Sequence, residues 1–60
     1  MAIDEFEAIR LADFMGLSQE EGARSMGISQ QTFSRIIKRA HKAVADGIVR
    51  GKIIRIQREV

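Results

Sequence analysis

Two glycines in this chain are each followed two positions later by a serine, Gly16 by Ser18 and Gly27 by Ser29. Glycine accepts the left-handed backbone that closes a helix, and a serine hydroxyl accepts one of the orphan amides at the start of the next. Stop and start signals this close leave room only for tight turns, so the chain must fold as short helices doubling back on one another. No proline interrupts the 60 residues. No Ser/Gly-rich linker, repeat or low-complexity tract divides them either, so residues 1–60 read as one domain.

These signals predict three helices. Asp4 followed by Glu7 has the pattern of a capping box and Gly16 is a stop, which gives a first helix over about 5–15. Ser18 with Glu21 repeats the start signal, and Gly27 ends a second helix over 19–26. Ser29 caps a third over 30–50, with Gly51 as its stop. Along it Phe33, Ile36, Ile37, Ala40, Val44, Gly47 and Ile48 recur at spacings of three and four, a stripe that faces the core. At 100° per residue, Gln31, Arg35, Lys38 and Lys42 fall together on the opposite side. The polar residues of GISQQTFSRI therefore share a face with the basic run that follows.

Two stretches call for something beyond a single copy of this bundle. The tail KIIRIQREV is rich in β-branched residues and reads as a strand over about 52–57. No second strand candidate exists, so pairing with another copy of the chain is the simplest resolution. On the first helix Ala8, Leu11, Ala12 and Met15 form one apolar side, yet Phe6 and Ile9 point elsewhere and Phe14 lies between. The tail, a second subunit or a preceding segment could cover that extra surface. A homodimer through the C-terminal strand, the first helix or both is expected, and a chain of this size hides only about 60% of the surface its unfolded form exposes, so such help is valuable.

Charge narrows the partner. Residues 1–30 carry six carboxylates against Arg10 and Arg24, a net −4, whereas residues 31–60 carry eight Lys and Arg against Asp46 and Glu59, a net +6. A cationic half of this kind is suited to a polyanion. The chain has no cysteine, which excludes disulfides and thiolate zinc sites and fits a reducing cytoplasm. No apolar run nears the roughly 20 residues of a membrane span, and the acidic start MAIDEFEAIR is unlike a signal peptide. One histidine, no phosphate loop and carboxylates gathered at helix starts give no expectation of an enzyme, a cofactor or a metal.

The second and third helices with the glycine turn between them have the spacing of a helix-turn-helix. Ala23 lies four residues before Gly27, where the helices must approach; Ile28 follows; Phe33 and Ile36 lie six and nine residues after, wedging one helix on the other. DEFEAIRLAD, GLSQEE and MGISQQTFSRI together resemble a prokaryotic family of uncharacterised proteins, family 251 or domain of unknown function 134, over Asp4 to about Ile56. That family's helix-turn-helix is similar to region 4 of sigma factors. The resemblance implies an all-α, three-helix fold, DNA binding and transcriptional regulation, and a further segment before Ile3. Gly22 and Gly47 stand where the family pattern has alanine, which makes the second helix and the end of the third less secure.

The chemistry of a DNA site can be assigned residue by residue. Gln30 and Gln31 can pair with adenine and Arg35 with guanine, the three base-reading candidates. Ser29, Thr32 and Ser34 can donate to phosphates of double-stranded DNA, while Lys38, Arg39 and Lys42 position without reading sequence. Ser18 and the free amides beside it form a second anion site, and Arg24 is a weaker phosphate candidate. For Ser18 and Ser29 the capping role holds whether or not DNA binds. If dimeric, the protein should prefer half-sites about 34 Å apart or a multiple of that. The rival reading is a protein-interaction module that contacts RNA polymerase or a regulator, which fold alone does not separate from DNA binding.

Overall fold

The computed structural model describes residues 1–56, and all regular structure among them is helical. Helix α1 runs Ile3–Ile9 and passes directly into a π-helical turn at Arg10–Phe14; α2 is Gln19–Met26 and α3 is Gln30–Arg50. The amide of Met15 donates to the carbonyl of Arg10, five residues back, at 2.9 Å, and that of Leu17 reaches Leu11 at 3.0 Å. This widening takes the helix into Gly16, whose φ of 76° ends it.

The start of α1 differs from the expected one. The helix begins at Ile3, and its cap position is Ala2 rather than Asp4. Glu5, not Glu7, turns back to accept the Ala2 amide at 2.8 Å, and Asp4 Oδ1 accepts the Glu5 amide at 2.8 Å. Glu7 instead pairs with Arg10. Three acids in four residues offer several ways to satisfy the same orphan amides, and sequence alone does not choose among them.

Around the central turn the signals act as their chemistry dictates. Ser18 Oγ accepts the Glu21 amide at 3.1 Å while the Glu21 carboxylate accepts the Ser18 amide at 2.9 Å, a complete capping box. At the other end of α2, Gly27 takes φ 69°. Its amide donates to Arg24 O at 3.2 Å and the Ile28 amide to Ala23 O at 3.0 Å, the paired bonds of a Schellman ending. Only Gly27, Ile28 and Ser29 separate α2 from α3.

The core gathers Ala8 and Leu11 from the first helical segment, Ala23 from α2, and Phe33, Ile36, Ile37 and Ala40 from α3. Phe33 is the largest side chain that is wholly buried. Its ring lies on Gly22, so close that a Cβ there would stand 2.5 Å from Cζ and 2.8 Å from Cε2. The glycine that weakens α2 as a helix is what lets α3 pack against it.

Two residues of the expected core are in solvent. Ile48 is 72% exposed and Met15 55%. Ile48 sits on the last turns of α3, beyond the elements that would cover it, and Met15 follows the π-helical turn, which shifts the angular position the straight-helix pattern assigns. The strand expected over 52–57 is absent from residues 52–56, and Gln57 lies outside the described residues. A strand needs an edge to pair with, and one copy of this chain supplies none. The tail instead folds back: the Lys52 amide donates to Gly47 O at 2.8 Å, Ile54 seats on Gly47, and Asp46 pairs with both Arg50 and Lys52.

Gly22→Ala should therefore lower stability despite the roughly 1 kcal/mol by which alanine improves a helix, since forcing a methyl into a packed ring costs about 1–3 kcal/mol. Gly47→Ala should cost less, because its Cβ meets Ile54 Cγ1 at 2.7 Å and the Lys52 carbonyl only at 3.6 Å, and the tail can lift away. Thermal unfolding monitored by circular dichroism ranks the two.

Candidate nucleic-acid interface

Helix α3 turns one side to the core and the other to solvent, and its cap decides where the outer side begins. Ser29 Oγ accepts the Thr32 amide at 3.1 Å and lies 2.8 Å from Thr32 Oγ1, to which it donates. The Ser29 proton is thereby committed, and of the two hydroxyls only that of Thr32 remains free to donate outward. Gln30 and Gln31 follow in the first turn, both exposed; Arg35, Lys38 and Lys42 continue the exposed side, while Ser34 is half-buried on its edge. From Gln31 to Lys42 the strip is about 17 Å long at 1.5 Å per residue.

Arg39 lies elsewhere. Its guanidinium reaches Asp4 Oδ2 at 3.5 Å and Glu5 Oε2 at 3.8 Å, at the start of α1. His41, two residues on and about 200° around the helix, reaches Asp13 Oδ2 at 2.7 Å in the π-helical turn. Leaving α3 on opposite flanks, the two side chains grip the two ends of the first helical segment, with Ala8, Leu11 and Ala40 packed between. Arg39, expected on phosphates, pairs with these two carboxylates in this structure. Neither pair is readable in sequence: the partners are 35 and 28 residues apart, and only the crossing of the helices brings them together.

The other two candidates sit on α2. Ser18 is its cap, as described. Arg24 forms an exposed i,i+4 pair with Glu20 at 3.1 Å, so its charge is already partly answered. The neighbouring acid Glu21 is held below the ordinary glutamate range, first by the Ser18 amide and then by the Ser18 hydroxyl, with Arg24 adding a smaller attraction.

These pairings change the electrostatic reading of the sequence. Asp4, Glu5, Glu7, Asp13, Glu20 and Asp46 are each tied to a cationic side chain or to His41. Arg35, Lys38 and Lys42 have no such partner among the described residues. Positive charge is thus left unanswered on the strip that also carries Gln31, with Gln30 exposed beside it in the first turn. Beyond Lys42 the same side carries Ala45, the acid Asp46 and Val49, the last 82% exposed, so the strip that can meet a polyanion is its first half. Among the described residues no group of three or more acidic, His or Cys side chains could hold a metal, and no helix is long and apolar enough to cross a membrane.

The family model described as "Protein of unknown function DUF134" matches residues 1–59. Similar curated proteins carry the name UPF0251 protein. One from Prosthecochloris aestuarii is 54% identical over 57 residues, covering 95% of this chain and 37% of that protein. Another from Ruminiclostridium cellulolyticum is 52% identical over 56 residues, covering 93% and 44%. A third from Thermoanaerobacter pseudethanolicus is 51% identical over 57 residues, covering 95% and 48%. The chain therefore spans less than half the length of these relatives. No solved structure matches it.

The cap at the start of α2 carries a pH signature. A carboxylate whose folded pKa is depressed contributes stability that is present above its unfolded value, about 4.3, and is lost as pH falls through the folded one. Glu21→Gln keeps an acceptor for the Ser18 amide but removes the titration. The difference in unfolding midpoint between the two proteins should be largest near neutrality and shrink as the buffer is taken below pH 4.

Proposed function

The chain belongs to the DUF134 family of proteins of unknown function, and from its geometry we propose that it binds double-stranded DNA sequence-specifically, as a homodimeric regulator of transcription, with α3 in the major groove. In this reading α2, the Gly27 turn and α3 are a helix-turn-helix of the kind found in region 4 of sigma factors. The observation that supports it is the outer strip of α3, where the exposed Gln31 and three cations unpaired among the described residues stand on one helix side, with Gln30 exposed beside them in the first turn.

The dimensions suit the task. A helix with its side chains is about 10–12 Å across and the major groove about 12 Å wide. Gln31 and Arg35, one turn apart, present the paired donors and acceptors that match adenine and guanine edges. Lys38 and Lys42 follow on the same side as cations suited to phosphates, and the Thr32 hydroxyl adds a neutral donor. Arg24 and Arg39 are secondary in this reading, because each would have to leave a carboxylate to reach a phosphate. A protein partner on the same strip would look for large apolar or aromatic anchors, and between Gln30 and Lys42 the exposed side has none.

Two substitutions separate base reading from phosphate contact. Arg35→Ala should cost about 1–3 kcal/mol on the preferred duplex and relax preference at one base step. Lys38→Ala should weaken all duplexes alike and reduce the slope of log affinity against log salt by about one unit. Fluorescence anisotropy on duplexes selected from a random pool measures both. Equal, sequence-blind losses would remove the base-reading role, and a pool without enrichment would remove sequence specificity altogether.

A further inference from the structure

The side of α1 turned away from α3 is apolar at both ends and charged in the middle. Ile3 is 50% exposed and Phe14 83%; between them Glu7 and Arg10 form an ion pair at the surface. Phe6, Ile9, Arg10 and Phe14 together line a shallow apolar hollow on this side. The π-helical turn contributes to it: with more residues per turn than an α-helix, it keeps Phe14 in line with Arg10 and Phe6, four and eight residues earlier.

The order along this seam is apolar, acid, base, apolar, at Ile3, Glu7, Arg10 and Phe14, with spacings that read the same in both directions. A two-fold contact requires one surface to complement itself, residue i meeting j while j meets i. Laid antiparallel on itself, this seam puts Ile3 beside Phe14 of the partner subunit and Glu7 beside Arg10 of the partner subunit, and the same pairs again in reverse. Apolar ends meet and opposite charges meet. We propose that this face of α1 is a self-association surface whose occupant is α1 of a second copy of the chain, in that antiparallel register. The proposal rests on the homodimer part of the reading above and names its interface.

The tail is the weaker choice. Ile54 is already seated on Gly47, and Lys52 is held by Asp46 and by the Gly47 carbonyl, so pairing through residues 52–56 would first have to undo these contacts. The α1 seam needs only an exchange of two Glu7–Arg10 pairs, one within each chain, for two such pairs between chains. It also lies on the far side of α1 from α3, so association leaves the outer strip of α3 open in both copies. A contact of one short helix pair falls at or below the smallest interfaces of specific complexes, about 1,200 Å² in total. The association expected of this chain is therefore weak.

Sedimentation equilibrium tests the register. The native chain should pass from monomer to dimer as its concentration is raised into the millimolar range. Glu7→Arg and Arg10→Glu should each shift that transition at least tenfold upward, because each sets like charges opposite one another. Their equimolar mixture should restore it, since the arginines of one chain then face the glutamates of the other. A role for Glu7 and Arg10 within a single chain would show no rescue on mixing. Phe14→Asp, at a site already in solvent, should abolish association with the helical circular dichroism retained. It should also leave the contact of one chain with a single duplex site unchanged. A native chain that stays monomeric, single variants that associate like the native chain, a mixture without rescue, or an associating Phe14→Asp protein would each overturn the proposal. Failure to bind DNA by a chain that still associates would overturn the DNA reading and leave this one standing.

Discussion

The seating of Phe33 on Gly22 is the contact from which the rest of the geometry follows. A phenylalanine ring is rigid, and here it has no solvent on any side, so the distance between α2 and α3 is set by ring thickness and by the absence of a side chain at residue 22. Gly27 fixes the direction in which the chain leaves α2, and Phe33 fixes how far α3 tilts onto it. With both fixed, the rotation of α3 about its own axis is no longer free: Ile36, Ile37 and Ala40 face inward, and Gln31, Arg35, Lys38 and Lys42 must face out. In a domain this small, stability is only a few kcal/mol. One wedge of this size is then a large share of the whole.

Ion pairs decide a different question. An exposed pair contributes about 0–1 kcal/mol, so the bonds of Arg10, Arg24, Arg39 and Asp46 with their partners are a minor part of stability. Their effect is to localise charge. Each carboxylate tied to a cation removes both from the far field, and among the described residues of the three helices the cations left without such a partner, Arg35, Lys38 and Lys42, lie together on one strip. The formal charge of +2 conceals this, because the field a partner meets depends on which charges are already answered. The clasp of Arg39 and His41 belongs to the same pattern: it steadies α3 on the first helix from its flanks and uses no residue of the outer strip.

Much of this arrangement was legible in the sequence. The ends of α2 and α3 are local events, set by Ser18, Gly27, Ser29 and Gly51 within a few residues of where they act, and local chemistry can be read from local sequence. The inward stripe from Phe33 to Ala40 was legible for the same reason, since helical periodicity repeats within two turns. The misreadings have a common cause as well. Ile48 keeps the period of the stripe, but burial also requires a neighbour, and periodicity is silent on where the neighbouring helices end. The π-helical turn depends on how the helix meets Gly16 and Leu17. The pairing of Arg39 with Asp4 and Glu5 is likewise invisible locally, since only the crossing of α1 brings those acids within reach. Gly22 and Gly47 looked like weaknesses because helix propensity is a property of one segment, while the ring of Phe33 and the side chain of Ile54 that need the space come from others. The strand expected in the tail required a second edge, and a preference for extended backbone cannot supply one.

The division of labour along α3 follows from where it is braced. Its first half, over Phe33, Ile36, Ile37 and Ala40, is pinned to the core, and the cap at Ser29 and the turn at Gly27 fix its beginning. Its last turns pass beyond the core, steadied mainly by Ile54 on Gly47 and by the pairs of Asp46. In the proposed reading, the contacts most demanding of position, paired hydrogen bonds from Gln31 and Arg35 to base edges, lie over the pinned half. Lys38 and Lys42 come next, where a flexible ammonium meeting a phosphate tolerates an error that a planar pair does not. Had the order been reversed, with the base-reading groups near Val49, fraying of the last turns would have averaged their geometry away. A sequence that puts its amides and its first guanidinium immediately after a capped, glycine-set turn places them where α3 is braced by its cap and its buried residues.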